Sequence, residues 1–401
     1  MSDTFDIAII GGGMAGAGLA LLLSQKLPGF SVALIEQFPL QVASEAQWRV
    51  PSFDARSTAL SCSTQHILQM LGVWDSLAAC AEPIGEVHVS ERHRPLGMLM
   101  RASELSLPAL GYVIENRILG NVLLDKLLQD ASVNIISPAL VDSIKLLPES
   151  AEISVSAEKS SVLHSKLVVI ADGAQSALRQ QLGIAADTVP YDQHAVIANL
   201  QLDMPHKGVA YERFTDTGPI ALLPLVDCED KHRAALVWTV PSADVDTLMA
   251  LPDKAFLQCV QDRLGDRCGK LGGVGARHCY ELQRVQAREQ VRSRVVLLGS
   301  AAHHLHPVAG QGFNLILRDC LALVETLAAA SATDPGKLAT LQEYLRKQTW
   351  DQHKTVTVSD WLPRLFGSRE LPQVAFRSAA LLGLDFLPGL REKFARQATG
   401  I

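Results

Sequence analysis

Three short runs of mainly apolar residues along the chain each lead into a turn that contains glycine. The runs occupy residues 5–10, 167–171 and 294–298. Because their apolar residues are continuous rather than alternating, they are typical of strands covered on both faces in a parallel sheet. Residues 14–27 have the apolar content of a buried helix, and residues 31–36 form a further strand-like run. The pattern predicts a strand–helix–strand unit at the start of an α/β fold.

A different pattern lies between these runs. Residues 195–202 and 233–240 approach alternation of apolar and polar side chains, which is typical of half-buried antiparallel strands. They predict an inserted antiparallel sheet. After Gly312 the pattern becomes helical to about residue 330, and residues 337–358 and 371–396 are also predicted to be helical.

Composition and charge narrow the class of protein. The chain has 401 residues, is 48% hydrophobic and has a mean hydropathy of +0.16, which excludes a disordered protein. Its net charge is −6, so phosphate backbones do not attract it and no nucleic-acid partner is expected. The seven cysteines are an odd number without a C-x-x-C pair, as in reduced cytosolic proteins. Residues 7–25 are uncharged, but their glycine cluster predicts a turn rather than a membrane span or signal peptide, so a soluble protein is expected.

The first turn carries the strongest chemical signal. A G-x-G-x-x-G motif follows the first strand and opens the first helix, and Glu36 ends the second strand 20 residues after its last glycine. These glycines allow a pyrophosphate to approach the helix N-terminus, and a carboxylate at that place accepts hydrogen bonds from ribose hydroxyls. The motif predicts an adenine dinucleotide site, and the alternative is an ordinary tight turn. Its residues are Gly11, Gly13, Met14, Ala15 and Gly16.

The segment 299–314 favours FAD over NAD. It combines a strand end, a long loop and a new helix start, and so can bring backbone N–H groups to a second ring system. Reduced flavin carries negative charge that a helix N-terminus stabilises, whereas a nicotinamide site needs no third loop. An ordinary glycine-rich connection is the alternative interpretation.

Three motifs in order resemble those of the group A flavin monooxygenases, the para-hydroxybenzoate hydroxylase type. The first is the glycine motif with Glu36, the second is Asp172-Gly173, and the third is residues 299–314. Residues 53–60, 111–115, 211–224 and 306–315 further resemble the ubiquinone-biosynthesis hydroxylases. The resemblance covers most of the chain.

The resemblance implies roles for individual residues. Arg56 is implied to contact the FAD pyrophosphate or ribityl region, and its structural alternative is an ion pair. Asp172 and Gly173 are implied to serve both FAD and NAD(P)H, and the structural alternative for Asp172 is a helix cap. The third motif has Ser300 where most of the wider family has Asp, so weaker FAD retention is expected. The other residues implied to lie at the cofactor are Gly299, Pro307, Gly310, Gly312, Phe313 and Asn314.

No catalytic residue is assigned, because the cofactor performs the difficult chemistry. Candidates for lining the flavin and the substrate are His306 and Pro307, together with Leu222 and Pro224 of an apolar strand. His303, His304 and His306 invite a metal site, but their spacing lacks a helical i, i+4 pair and no carboxylate or cysteine lies close in sequence, so none is expected.

The implied domains are a discontinuous FAD-binding domain, a substrate domain and a C-terminal helical region. The fold class is α/β, with a Rossmann-like FAD-binding domain and an inserted antiparallel-sheet substrate domain. The FAD-binding domain comprises residues 1–75, 96–180 and 280–340, the substrate domain comprises 76–95 and 181–279, and the helical region comprises 341–401.

The implied activity is the hydroxylation of a polyprenyl phenol, 2-octaprenyl-6-methoxyphenol, in ubiquinone biosynthesis. NAD(P)H reduces bound FAD, O₂ adds at flavin C4a, and one oxygen atom passes to the phenol ring. Implied partners are the prenylated phenol and other ubiquinone-biosynthesis proteins or a lipid carrier, in the cytoplasm with at most peripheral membrane contact. Alternatives are another ring position or phenol, and a noncatalytic prenyl-lipid-binding protein on the same fold.

Overall fold

A computed structural model of the chain describes residues 3–41, 56–92, 97–158, 160–306, 310–330 and 334–367, with side chains to residue 361. The strands are β1 Thr4–Ile10, β2 Val32–Ile35, β3 Ser57–Ser61, β4 Glu82–Pro83, β5 Glu86–Glu91, β6 Gly97–Arg101, β7 Gly111–Glu115, β8 Val133–Ile136, β9 Leu140–Leu146, β10 Ala151–Ser156, β11 Ser161–Ile170, β12 Ala186–Leu202, β13 Val209–Thr215, β14 Gly218–Cys228, β15 Lys231–Pro241, β16 Leu271–Val274, β17 His278–Ala287, β18 Val291–Arg292, β19 Val295–Leu297 and β20 His303–His304. The helices are α1 Met14–Lys26, α2 Cys62–Met70, α3 Trp74–Ala78, α4 Asn116–Leu128, α5 Ala177–Gln181, α6 Val245–Met249, α7 Asp253–Leu264, α8 Gln311–Ala329 and α9 Leu338–Gly367.

The first sheet has the strand order β18-β19-β11-β1-β2-β8, and β19, β11, β1, β2 and β8 are parallel. The continuous apolar runs become its central strands, because side chains on both faces of a covered parallel sheet are buried. The hairpin of β9 and β10 extends β11 on an antiparallel edge. The predicted α/β fold is therefore confirmed.

The second sheet has the order β20-β17-β12-β15-β14-β13-β5-β6, with β16 beside β12. Its pairs are antiparallel except for β13 with β5. One face packs against α6 and α7 around Trp238 and Phe256, whose rings lie 6.1 Å apart. The other face is turned toward a large cavity. A small sheet of β3, β7 and β4 completes the strands of the described chain.

The strand pairing differs from the predicted domain boundaries at three places. Strands β6 and β20 and most of β17 lie in segments assigned to the FAD-binding domain, yet all three pair in the second sheet. Since β5 and β6 form one hairpin that joins β13, a boundary at residue 96 separates two paired strands.

The helices on one face of the first sheet bring two cofactor motifs together. Helices α1 and α8 pack closely, and a Cβ added at Gly18 would meet the Leu317 side chain at 2.9 Å. Helix α9 continues past the predicted end at residue 358, through Pro363, to Gly367. The predicted helix over residues 371–396 lies outside the described residues. Among the described helices, none is long and apolar enough to cross a bilayer.

Candidate active site

A cavity of about 990 Å³ lies between the first sheet and the open face of the second sheet. The turns that follow β1, β2, β11 and β19 open into it, because the carboxyl ends of parallel strands meet at one edge of a sheet. Ligands of open α/β sheets bind at that edge. The cavity thus brings the three sequence motifs to one place.

The first turn requires glycine at two positions. Gly11 has φ +106°, and a Cβ there would lie 2.5 Å from the Ala171 carbonyl oxygen. A Cβ at Gly16 would overlap the Gly11 carbonyl oxygen. Helix α1 begins at Met14 with Gly13 as its N-cap and has no acidic residue in its first turn. The N-terminus of α1 therefore faces the cavity as an electropositive end that suits a pyrophosphate.

Glu36 is held by two backbone donors. The Gly12 N–H donates to Oε2 at 2.5 Å, and the Phe38 N–H donates to Oε1 at 2.9 Å. The side chain lines the cavity and is largely buried. Since a carboxylate accepts about four hydrogen bonds, acceptor capacity remains for ribose hydroxyls.

Arg56 lines the same cavity, and its guanidinium lies 4.9 Å from the centroid of the Tyr280 ring. Burial lowers the pKa of the neighbouring His304, and the Arg56 charge lowers it further. Arg56 is the only arginine or lysine among the described residues that line the cavity.

Asp172 and Gly173 lie at the end of β11. The N-cap of α5 is Ser176, whose hydroxyl accepts a hydrogen bond from the Arg179 N–H, so the capping alternative does not fall on Asp172 itself. Burial raises the pKa of Asp172, and hydrogen bonds with the Ser176 hydroxyl and the Leu178 backbone oppose that rise. Asp172 also lines the cavity, and its cofactor role stays a prediction. Gly173 has φ +101°, and a Cβ there would meet nothing within 4 Å, which leaves room for a ligand against its backbone.

Arg179 is a residue of the site that the sequence patterns did not predict. Its guanidinium is buried and donates to the carbonyl oxygens of Ala301, at 2.8 Å, and Ala174, at 3.2 Å. It therefore ties the turn after β11 to the loop after β19. The only signal in the sequence is a basic residue in a short helix directly after the Asp-Gly pair.

The third motif forms the floor of the cavity at α8. Gly299 has φ +64° and faces Ala15, whose Cβ would lie 3.1 Å from an added Cβ, and Ser300 lines the cavity. Helix α8 begins after Gly310, which has φ +60°, and its first turn contains no acidic residue. A Cβ at Gly312 would meet nothing within 4 Å. Pro307 lies outside the described residues.

The side chain of Asn314 is hydrogen-bonded to the protein backbone as well as lining the cavity. Its Oδ1 accepts a hydrogen bond from the Ser61 N–H, and its Nδ2 donates to the carbonyl oxygens of Ala59 and Gly310, each at 2.9 Å. These bonds fasten the start of α8 to β3. Phe313 is mostly buried in the core below and also reaches the cavity wall.

The three histidines have different surroundings, although all line the cavity. His303 Nε2 lies 3.7 Å from Asp319 Oδ2, and the His306 ring meets Tyr191 edge-on at 5.1 Å. Burial lowers the pKa of both His303 and His306 to about 4, so both are neutral at pH 7. Within the described part of the chain, no group of three or more histidine, cysteine, aspartate or glutamate side chains is arranged to hold a metal.

The prediction that Leu222 and Pro224 line the cavity is wrong. Leu222 is buried in the core on the far face of the second sheet, and Pro224 pairs with Ala234 of that same core. The residues of β14 that line the cavity are Pro219, Ala221 and Leu223. The strand is apolar on both faces, so the sequence pattern does not show which alternate set faces the cavity.

The described residues fit FAD. The glycine turns leave backbone exposed where Cβ atoms would otherwise intrude, and Glu36 and two helix N-termini without acidic residues meet the same space. The volume of the cavity also leaves room for a second molecule beside the apolar sheet.

Known proteins agree with this geometry. Residues 4–351 match the family described as FAD binding domain. A ubiquinone hydroxylase of Rhodospirillum rubrum is 33% identical over 98% of this chain and 89% of its own length. The 3-demethoxyubiquinol 3-hydroxylase of Escherichia coli is 31% identical, over 99% of this chain and 98% of its own. A solved p-nitrophenol 4-monooxygenase of Pseudomonas putida has the same fold, with a TM-score of 0.75 at 18% identity over 99% of this chain and 98% of its own.

The fold, the cofactor cradle and these matches define an FAD-dependent aromatic monooxygenase of the para-hydroxybenzoate hydroxylase type. Within that class, the chain belongs to the family of the ubiquinone hydroxylases.

Proposed function

We propose that this chain hydroxylates the ring of a polyprenyl phenol, with 2-octaprenyl-6-methoxyphenol as substrate and NAD(P)H and O₂ as co-substrates. The observation that carries the proposal is the one cavity that joins the glycine turns to the apolar face of the second sheet. A hydroxylase must hold its cofactor and its substrate in one enclosed space, because the reacting atoms have to meet in the absence of water.

Bound FAD supplies the activation of O₂ once NAD(P)H has reduced it. The protein contributes binding and orientation. With FAD bound, the N-terminus of α1 would hold the pyrophosphate, Glu36 would hold the ribose, and the N-terminus of α8 would stabilise negative charge on the ring.

The second sheet supports a neutral, apolar substrate. Strands β14 and β15 present Ala221, Leu223, Ala235 and Val237 to the cavity. Arg56, the only cation among the described lining residues, stacks on Tyr280 at the cofactor side. A substrate carboxylate would therefore lack a basic cluster, whereas a prenylated phenol matches the wall.

A long polyprenyl tail needs an opening from the cavity. Trp361 on α9 lines the cavity and is half exposed, so we place the exit beside it. Delivery of such an insoluble substrate calls for other ubiquinone-biosynthesis proteins, a lipid carrier or peripheral membrane contact.

The second candidate is hydroxylation of another ring position. It is favoured by the similarity to the Escherichia coli 3-demethoxyubiquinol 3-hydroxylase along nearly the whole chain. The two candidates share cofactor and cavity and differ in which ring carbon faces the flavin.

The test is NAD(P)H oxidation by the FAD-loaded protein with and without a short-tailed 2-prenyl-6-methoxyphenol, followed by structure determination of the product. The first proposal expects phenol-stimulated oxidation and a 1,4-benzoquinol. Hydroxylation only of a 3-demethoxyubiquinol analogue would favour the second candidate. Tight binding of the phenol without any product would instead indicate a lipid-binding protein.

A further inference from the structure

Two carboxyl groups of the second sheet reach the cavity, Glu212 of β13 and Glu281 of β17, and Glu281 is exposed. Glu212 lies in β13, opposite Ala221 of β14 and Val89 of β5, and all three residues line the cavity. The next residues on the same face of β13, Ala210 and Phe214, line it as well. Because alternate residues of a strand point to one face, Glu212 is directed into the space beside the sheet.

The side chains on either side of Glu212 along the strand are anchored to backbone carbonyl groups of the second sheet's helical side. The Tyr211 hydroxyl donates to the Arg267 carbonyl oxygen at 3.1 Å, and Arg213 donates to the Leu264 carbonyl oxygen at 2.8 Å. These contacts keep β13 in register, so Glu212 cannot turn outward without breaking both.

No described side chain compensates the Glu212 carboxylate. Burial alone raises its pKa to about 7, without an opposing contribution from a cation or a hydrogen bond. The elements packed against β13 are β5, β14 and α9. Strands β5 and β14 present apolar side chains to the cavity, and Asp360 of α9 is engaged by Tyr191 at 2.7 Å and Arg284 at 3.3 Å.

A partly buried carboxyl group without a protein partner is costly to desolvate, so its presence on the apolar wall of a binding cavity points to a ligand group that bonds to it. The ligand must carry a hydrogen-bond donor on an otherwise apolar ring, because the surrounding wall is apolar. The hydroxyl of a phenol has this chemistry.

We propose that Glu212 is the catalytic residue that binds the phenolic hydroxyl of the substrate and accepts its proton, an inference that rests on the proposed function. The phenol O–H bond breaks, the proton bonds to the Glu212 carboxylate, and the electron pair stays on the phenolic oxygen. The resulting phenolate is richer in electrons at the ring carbons ortho and para to it, which is where an electrophilic oxygen atom attacks.

The other titratable groups of the cavity are less suited to this role. His303 and His306 have pKa values near 4 and are weak bases at neutral pH. Glu36 and Asp172 are held by backbone and hydroxyl donors at the cofactor side. Glu281 of β17 also lines the cavity but is exposed to solvent. A general base works best with a pKa near the working pH, and Glu212 meets that condition.

The test compares Glu212→Gln and Glu212→Asp with Glu82→Gln as a matched control. Glu82 is also a partly buried glutamate whose pKa burial raises, but it does not line the cavity. The readouts are FAD affinity, the ultraviolet difference spectrum of bound 2-prenyl-6-methoxyphenol, which reports phenolate, and kcat/KM as a function of pH.

In the wild type we expect bound phenolate and a fall in kcat/KM below about pH 7 as Glu212 becomes protonated. Glu212→Gln should retain FAD affinity within about twofold, lose the phenolate signal and lower kcat on the order of 100-fold, without the acid limb. Glu212→Asp should recover part of the phenolate signal and part of kcat. Glu82→Gln should match the wild type in every readout.

A Glu212→Gln protein with the wild-type phenolate signal and rate would overturn the inference. A wild type that binds FAD and ionises the phenol but forms no hydroxylated product would leave the Glu212 assignment standing and refute the proposed function. The two failures are therefore distinguishable.

Discussion

The Arg179 guanidinium donates a hydrogen bond to the Ala301 carbonyl oxygen at 2.8 Å, across 122 residues of sequence. With its second bond to Ala174, it fixes the turn after β11 relative to the loop after β19. Arg179 therefore positions two of the three cofactor motifs relative to each other, although it does not line the cavity.

Arg179→Ala should lower FAD affinity about 10-fold or more and reduce the free energy of unfolding of the apoprotein. The change leaves two carbonyl oxygens without their buried charged donor, and each such loss costs about 1–3 kcal/mol. Quenching of FAD fluorescence and thermal unfolding measure the two effects. Arg288→Ala is the control, because its ion pair with Asp187 is exposed and contributes little. Equal behaviour of the two variants would contradict the bracing role.

Gly312→Ala should weaken FAD binding without destabilising the apoprotein. An added Cβ meets no protein atom within 4 Å and would intrude on the space that the flavin needs, whereas alanine in a helix is about 1 kcal/mol more favourable than glycine. Isothermal titration with FAD and apoprotein melting measure this. Gly16→Ala, whose added Cβ would overlap the Gly11 carbonyl oxygen, should lower both FAD affinity and apoprotein stability. Gly29→Ala, with open space around the added Cβ, should change neither. Unchanged FAD affinity in Gly312→Ala would place the flavin elsewhere.

Glu36→Gln should lower FAD affinity about 10- to 100-fold. Each carboxylate oxygen now accepts a backbone N–H, from Gly12 and Phe38, but a glutamine offers only one acceptor oxygen, so one donor loses a charge-assisted bond. Spectroscopic titration with FAD measures the change. The exposed Glu149→Gln should bind FAD as the wild type does. Wild-type affinity in Glu36→Gln would show that the carboxylate does not organise the nucleotide site.

Asp319→Asn should stabilise the protein more at high pH than at low pH. Burial raises the pKa of Asp319 to about 7, so the wild type is most stable with this group protonated and loses stability as pH rises toward 7. The variant removes that loss and keeps the acceptor for Gln352, whose Nε2 donates to Oδ1 at 3.0 Å. Its stability gain should grow by about 2 kcal/mol from about pH 5 to about pH 8.

Chemical denaturation of both proteins at the two pH values measures this difference. His303 and His306 destabilise both proteins in the opposite direction, below about pH 6, and only the distant His306 cancels in the comparison, because His303 lies 3.7 Å from Asp319. A variant that is less stable than the wild type at about pH 8 would mean that Asp319 forms an ion pair with a protonated His303.

The sequence pattern predicted the parallel strands and the glycine turns well, because both follow from local rules. A continuous apolar run at residues 5–10 has few alternatives to a buried strand, and β1 confirms it. The positions of Gly11, Glu36 and Gly312 in one cavity follow from parallel strands ending at one edge.

The missed residues depend on contacts that no local pattern contains. Arg179 reaches Ala301, and Asp319 reaches His303 and Gln352, over long sequence separations. Glu212 lies in a segment, 211–214, without clear alternation, so its direction became known only from the pairing of β13 with β14 and β5. The error at Leu222 has the same cause, since both faces of β14 are apolar.

In the proposed reaction, the cavity holds a prenylated phenol while one oxygen atom of O₂ is transferred to its ring. The most direct measurement is the mass spectrum of the product formed from a short-tailed 2-prenyl-6-methoxyphenol by the FAD-loaded protein with NAD(P)H under ¹⁸O₂. We expect a hydroxylated product that carries one ¹⁸O atom and forms only when FAD is present. An unmodified phenol, with NAD(P)H oxidation no faster than in its absence, would contradict the proposed reaction.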